Sequence, residues 1–146
     1  MKQELRQVVT QLEALIKVQR PAPLIYIGQP YATDDIIERL ERVSVGGKYL
    51  LKLIEDGKLP FSPICQCHSV REFSGGGTTW DFWRTYDFGM LEACDELHVL
   101  TLPGWEESVG LTAEIDFALT KEIPIKRIRY IKTTGRFVES LWETPQ

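Results

Sequence analysis

No run of apolar residues in this 146-residue chain approaches the roughly 20 needed for a helix to cross a bilayer, so no spanning helix is expected. There is no basic cluster either. Lys and Arg number 17 against 21 Asp and Glu, a net charge of −4, which argues against a nucleic-acid polymer held through its phosphates. Cysteines are only three, an odd count without framework spacing, so a disulfide scaffold is not expected and reduced thiols are. The first twenty residues carry charges throughout and lack the continuous apolar centre of a signal peptide. The expected location is cytoplasmic. Repeats, low-complexity tracts and interdomain linkers are missing as well.

What is present is one domain's worth of chain, 43% apolar and 26% charged, enough to bury a real core. Residues 1–20 read as an N-terminal amphipathic helix with Leu5, Val8, Val9, Leu12, Leu15 and Ile16 as its stripe. Pro21 and Pro23 stop it. It is free to pack on the rest of the chain or on a second subunit. Residues 21–146 form the α/β domain. Its first strand, Leu24–Gly28, is almost wholly apolar, as a central parallel strand should be. Thr33-Asp34-Asp35 cap the next helix, whose expected core face is Ile36, Ile37, Leu40, Val43, Leu50, Leu51 and Ile54. Gly46-Gly47 weaken that helix or allow close packing, and Gly57 ends it. Leu59–Ile64 is a second strand, Trp80–Ala93 a helix, Glu96–Leu102 a third strand and Ile123–Tyr130 a fourth, expected at an edge because apolar and basic residues alternate. Residues 133–146 have no assignable structure. Alternating strands and helices give a doubly wound, mostly parallel sheet of four to five strands.

Two carboxylates are out of place in this pattern. Glu114 lies on or beside the inward face of the helix that follows Gly104-Trp105-Glu106-Glu107-Ser108-Val109-Gly110, a strand–loop–helix junction of the kind that binds ligands. Asp87 falls inside the stripe Trp80, Trp83, Met90, Leu91 and Cys94. Each is either a paired or hydrated structural group or a working one. Cys65 to Thr79, with Gly75 to Gly77, reads as a long connection of the sort that forms a lid. Its Cys65, Cys67 and His68 invite a zinc reading, but the spacing is wrong and Cys94 and His98 lie on other elements, so no metal is expected. His68 is a loop polar residue or, at a strand mouth, a ligand contact.

Three segments in order carry a resemblance. Tyr26-Ile27-Gly28-Gln29-Pro30-Tyr31, then Asp87, then Ser108-Val109-Gly110-Leu111-Thr112-Ala113-Glu114 resemble the first strand and turn, the helix aspartate and the polar–glycine–glutamate signature of the nucleoside 2-deoxyribosyltransferase superfamily. Phe61-Ser62-Pro63-Ile64 and Gly104 to Ser108 look like an uncharacterised branch of it. The resemblance covers residues 24 to 128 and implies a flavodoxin-like fold. It implies that Glu114 is the nucleophile at an anomeric carbon, that Tyr26 orients it, and that Asp87 assists proton transfer to the departing base. Gly28, Gln29, Pro30, Tyr31, His68, Trp83, Ser108 and Gly110 are the expected substrate contacts. No cofactor is implied, the partner is a small nucleotide or nucleoside, and a homo-oligomer is expected.

The chemistry fits. Breaking an N-glycosidic bond needs an anion on one face of the sugar and a proton donor for the base. The helix N-terminus is expected to keep Glu114 ionised, and desolvation to raise Asp87, dividing the two roles. Deoxyribosyltransferases commonly carry an aspartate where this chain has Ser108; serine is what the related hydrolases of deoxynucleoside 5′-monophosphates have. Serine at a helix N-terminus accepts a phosphate that aspartate would repel, so hydrolysis of a monophosphate is the expected activity. Base exchange by a deoxyribosyltransferase is the alternative, as is a nucleotide-binding or sensing module without turnover.

Overall fold

A computed structural model of the chain describes residues 1–17, 20–74 and 79–144. Among these residues five α-helices and five strands follow one another as α1 (Lys2–Lys17), β1 (Leu24–Gly28), α2 (Ile36–Glu55), β2 (Leu59–Phe61), α3 (Pro63–Phe73), α4 (Trp80–Glu92), β3 (Glu96–Leu100), α5 (Val109–Thr120), β4 (Ile125–Ile131) and β5 (Arg136–Leu141). The strands form one sheet in the order β2-β1-β3-β4-β5. The first four are parallel and β5 runs antiparallel to β4. This is the doubly wound, Rossmann-like arrangement read from the sequence.

Alternation along the strands divides the core in two. Tyr26, Leu97 and Val99 point toward α4 and α5, where they pack with Leu91, Leu111, Ile115 and Ala118. Ile25, Ile27, Leu100 and Ile128 point the other way, against Tyr49 and Leu53 of α2. The order of the strands reverses direction between β1 and β3, so a crevice opens beyond their carboxyl ends.

Four expectations need correction. The buried positions of α2 are Arg42, Gly46, Tyr49 and Leu53, not the aliphatic stripe; Ile36, Ile37, Leu40, Leu51 and Ile54 are all at least half exposed. The inward face is instead polar and close-packed. The Gln29 side chain donates to the Arg42 carbonyl at 2.8 Å, and a Cβ at Gly46 would collide with the same side chain. Much of the expected long connection is the helix α3, capped by the Ser62 hydroxyl and opened by Pro63; Gly75 to Gly77 lie outside the described residues. The second strand is accordingly short, ending at Phe61. Finally, β4 is not at the edge. The residues after it turn back through Gly135, at a φ of +69°, and β5 takes the edge. The stripe of α1 is exposed along its whole length.

Candidate active site

A cavity of about 180 Å³ occupies the crevice beyond β1 and β3. Its walls come from the turn after β1 (Gln29, Tyr31), from α3 (Cys67, His68, Arg71), from α4 (Trp80, Trp83, Asp87) and from the start of α5 (Ser108, Gly110, Glu114). Each element delivers its side chains for a local reason. α5 begins at Ser108 because its hydroxyl accepts from the Leu111 amide, 3.4 Å away. Glu114 then falls about a turn and a half in, on the buried side. Gly110 lets the Trp80 ring approach: a Cβ there would stand 3.1 Å from Trp80 Cε3.

The centre of the site is a hydrogen bond under the cavity floor. The Tyr26 hydroxyl, itself fully buried, donates to Glu114 Oε1 at 2.8 Å. The second carboxyl oxygen, Oε2, would lie 3.1 Å from a Cβ at Gly28 and Leu111 Cδ1 only 2.9 Å, so any side chain at 28 forces the carboxyl or its packing to move. Asp87 is also buried, and its Oδ1 has no hydrogen-bond partner among the described residues. A buried carboxyl oxygen left without a donor is uncommon in a resting fold and is the kind of group a ligand completes.

Protonation follows from burial. Desolvation pushes the Glu114 carboxyl up to about 8; the bond from Tyr26 pulls it down and the nearby Asp87 pushes it further up. Burial also pushes Asp87 up, to about 6. Glu114 therefore keeps its proton at neutral pH, contrary to the ionised state expected from the helix N-terminus. That field fades within the first turn, and full burial of the carboxyl outweighs it. Tyr26 is held well above its ordinary range by burial and by the two carboxyls, so it remains a hydroxyl donor. Cys67 is pushed up to about 11 by burial, helped by Asp87, and stays a thiol.

Where α3 and the turn after β1 line the cavity, the Tyr31 hydroxyl meets His68 Nδ1 at 2.8 Å, and the Arg71 guanidinium lies over the Tyr31 ring, 5.6 Å from its centre. Arg71 is the one Lys or Arg among the residues lining the cavity, and it has no carboxylate partner among the described residues. Among the described residues no group of three or more His, Cys, Asp or Glu side chains is arranged to hold a metal.

Of the residues singled out in the sequence, Gln29, Tyr31, His68, Trp83, Asp87, Ser108, Gly110 and Glu114 meet around this cavity. Tyr26 and Gly28 lie beneath it and fix Glu114. Pro30 is fully buried and is not part of the lining. Arg71 and Cys67 also line the cavity, which the sequence does not show because the composition of their helix reads as a loop. Ser62 followed by Pro63 was the usable signal, a cap and first-turn pair that marks a helix start.

A search of curated proteins gives no match to this chain. Residues 23–129, a span that takes in β1 and every cavity-lining element, match the family described as Domain of unknown function (DUF1937), and the chain belongs to that family.

Proposed function

We propose that the protein cleaves the N-glycosidic bond of a nucleoside 5′-monophosphate, with a deoxyribose sugar as the expected form, and releases the free base. The observation that carries this reading is the pair of buried carboxyls in one cavity: Glu114 anchored by Tyr26, and Asp87 with an unpartnered oxygen. Glycoside chemistry uses two such groups in opposite protonation states. Glu114, once ionised, attacks C1′ from one face. The C1′–N bond breaks, its electron pair goes to the base, and Asp87 supplies the proton. Asp87, now a carboxylate, takes a proton from water as that water attacks C1′, and the Glu114 carboxylate departs. The net change is nucleotide and water to base and sugar phosphate.

Arg71 supports an anionic substrate, since it is the cation of the cavity wall and the α5 N-terminus at Ser108 and Gly110 opens onto the same space. The aromatic rings of Trp80 and Trp83 offer a surface for a flat base. Three free cysteines fit the reducing interior of a cell, where such a substrate is found.

The test is a product screen: purified protein with each deoxynucleotide, ribonucleotide and nucleoside, free base read by chromatography. Monophosphates should be cleaved at least ~10-fold more efficiently than nucleosides, one charge-assisted anchor being worth roughly 1.5–3 kcal/mol. Glu114→Gln should release no base while remaining folded. Transfer of deoxyribose to added base faster than to water would instead favour the transferase, and binding without any turnover would favour a sensing module.

A further inference from the structure

We propose that the chain forms a two-fold dimer through the outer face of α2, paired antiparallel with α2 of a second copy. The proposal does not depend on the activity. It begins from the aliphatic stripe that the fold leaves outside. At 100° per residue, Ile36, Leu40, Gly47, Leu51 and Ile54 fall within one narrow sector of α2, pointing well away from the buried Arg42, Gly46, Tyr49 and Leu53. The four aliphatic members, with Ile37 at the flank, are 51–68% exposed. No charged side chain interrupts the sector between Ile36 and Ile54. A period of 3.6 maintained over the whole of a 20-residue helix marks a face built for burial, and nothing in the described residues of the same chain buries it.

Three features select a second α2 as the occupant. The stripe is symmetric about its middle. Antiparallel pairing sets Ile36 against Ile54 of the other copy and Leu40 against Leu51, with the small Ser44 and Gly47 nearest the axis, where helices can approach closely. A Cβ at Gly47 would meet nothing within 4 Å, so that approach is open. The charges agree as well. Glu41 and Lys48 lie on the same flank, two turns apart, too far to pair within one helix. The two-fold axis brings each Glu41 beside the other copy's Lys48, giving two equivalent ion pairs. Among the described residues of the single chain Glu41 has one outlying ion pair, with Lys132 at 3.6 Å, both side chains being exposed, and Lys48 has no carboxylate partner, its ammonium lying 5.8 Å from the centre of the Tyr130 ring. The area is sufficient: at roughly 100 Å² of apolar surface per side chain the two copies bury about 1,000 Å² before any polar rim, which brings the whole into the range of specific interfaces.

The experiment is sedimentation velocity on the full chain and its variants from about 1 to 100 µM, where mass action makes a dimer visible. The wild type should sediment as two chains. Leu40→Glu and Leu51→Glu, both at exposed positions, should each give a monomer with unchanged far-ultraviolet circular dichroism and an unfolding midpoint that no longer rises with protein concentration. Glu41→Lys should weaken association by at least about 10-fold through like-charge contact with Lys48, and adding Lys48→Glu should restore it, because the reversed pair forms only between copies. A wild type that stays monomeric at the highest concentration overturns the proposal. So does a dimer that survives Leu40→Glu but dissociates with Leu12→Glu, which would seat the contact on α1. Failure of the double charge reversal to restore association overturns the antiparallel register.

Discussion

Glu114 should make this protein less stable as the pH rises, and replacing it should remove that dependence. In the unfolded chain its carboxyl has the ordinary value near 4.5, whereas burial in the fold pushes it up to about 8. Between those values the folded state holds one proton more than the unfolded state. Stability from this group is therefore complete below the unfolded value and is lost as pH climbs through the folded one. The slope is about −1.4 kcal/mol per pH unit, so crossing the window costs roughly 4–5 kcal/mol, a large part of the stability of an ordinary domain. Glu114→Gln carries no charge at any pH. Its amide oxygen still accepts from Tyr26, and its NH2 takes the place of the oxygen that faces the cavity. Wild type and variant should be nearly equal near pH 5, with the variant ahead by at least ~2 kcal/mol at pH 8 after allowing for relaxation around the charge. Urea unfolding followed by circular dichroism at pH 5, 6, 7 and 8 measures this directly. Two curves that stay parallel across the range would show that the carboxyl is not desolvated as described, and the reasoning about its protonation would fail with them.

The same protonation order shapes the rate. The proposed reaction needs Glu114 ionised while Asp87 is protonated, a minority tautomer when the two groups stand near 8 and 6, so kcat/KM should be bell-shaped with limbs near those values. Asp87→Asn should lower the rate by about 10²-fold or more and abolish the alkaline limb, since no acid remains to be titrated; persistence of that limb would reassign it. Gly28→Ala displaces the Glu114 carboxyl or Leu111, so base release should fall at least ~10-fold in a protein that still folds, and an unaffected rate would mean the carboxyl has room to adjust. Arg71→Met should raise KM for monophosphates at least ~10-fold and leave that for nucleosides nearly unchanged; equal loss for both would remove Arg71 from phosphate recognition.

Strands were legible in the sequence wherever a run of apolar residues was buried on both faces. Leu24–Gly28 and the apolar residues before Leu102 could hardly be anything else. The carboxylates Glu114 and Asp87 stand out for a different reason, each falling on or beside the inward stripe of a helix. Helix faces were harder. For α2 the hydrophobic pattern was read as inward when it points out, because the fold covers this sheet face with Tyr49 and a hydrogen-bonded Gln29–Arg42 layer that periodicity cannot detect. α3 was hidden by its composition: Cys, Gln, His and Ser give little amphipathic signal, and only the cap pair at Ser62 and Pro63 marked its start. With α3 went Arg71. The protonation of Glu114 was not readable either, since position in a helix is a property of sequence and depth of burial is a property of the assembled fold.

The bond from Tyr26 to Glu114 joins residues 88 positions apart. It needs β3 laid beside β1 and α5 packed over both, so the cavity depends on contacts between distant parts of the chain. Refolding should therefore show helix signal first and a working site only at the end, with no lag between final packing and activity, because loop closure over such distances precedes the contacts that reward it. The residues from α3 to α5 supply most of the cavity wall, but the hydroxyl that holds Glu114 comes from β1. A chain in which β1 has not joined β3 therefore has a Glu114 without its Tyr26 donor, and any chemistry that needs this carboxyl held in place waits for the sheet.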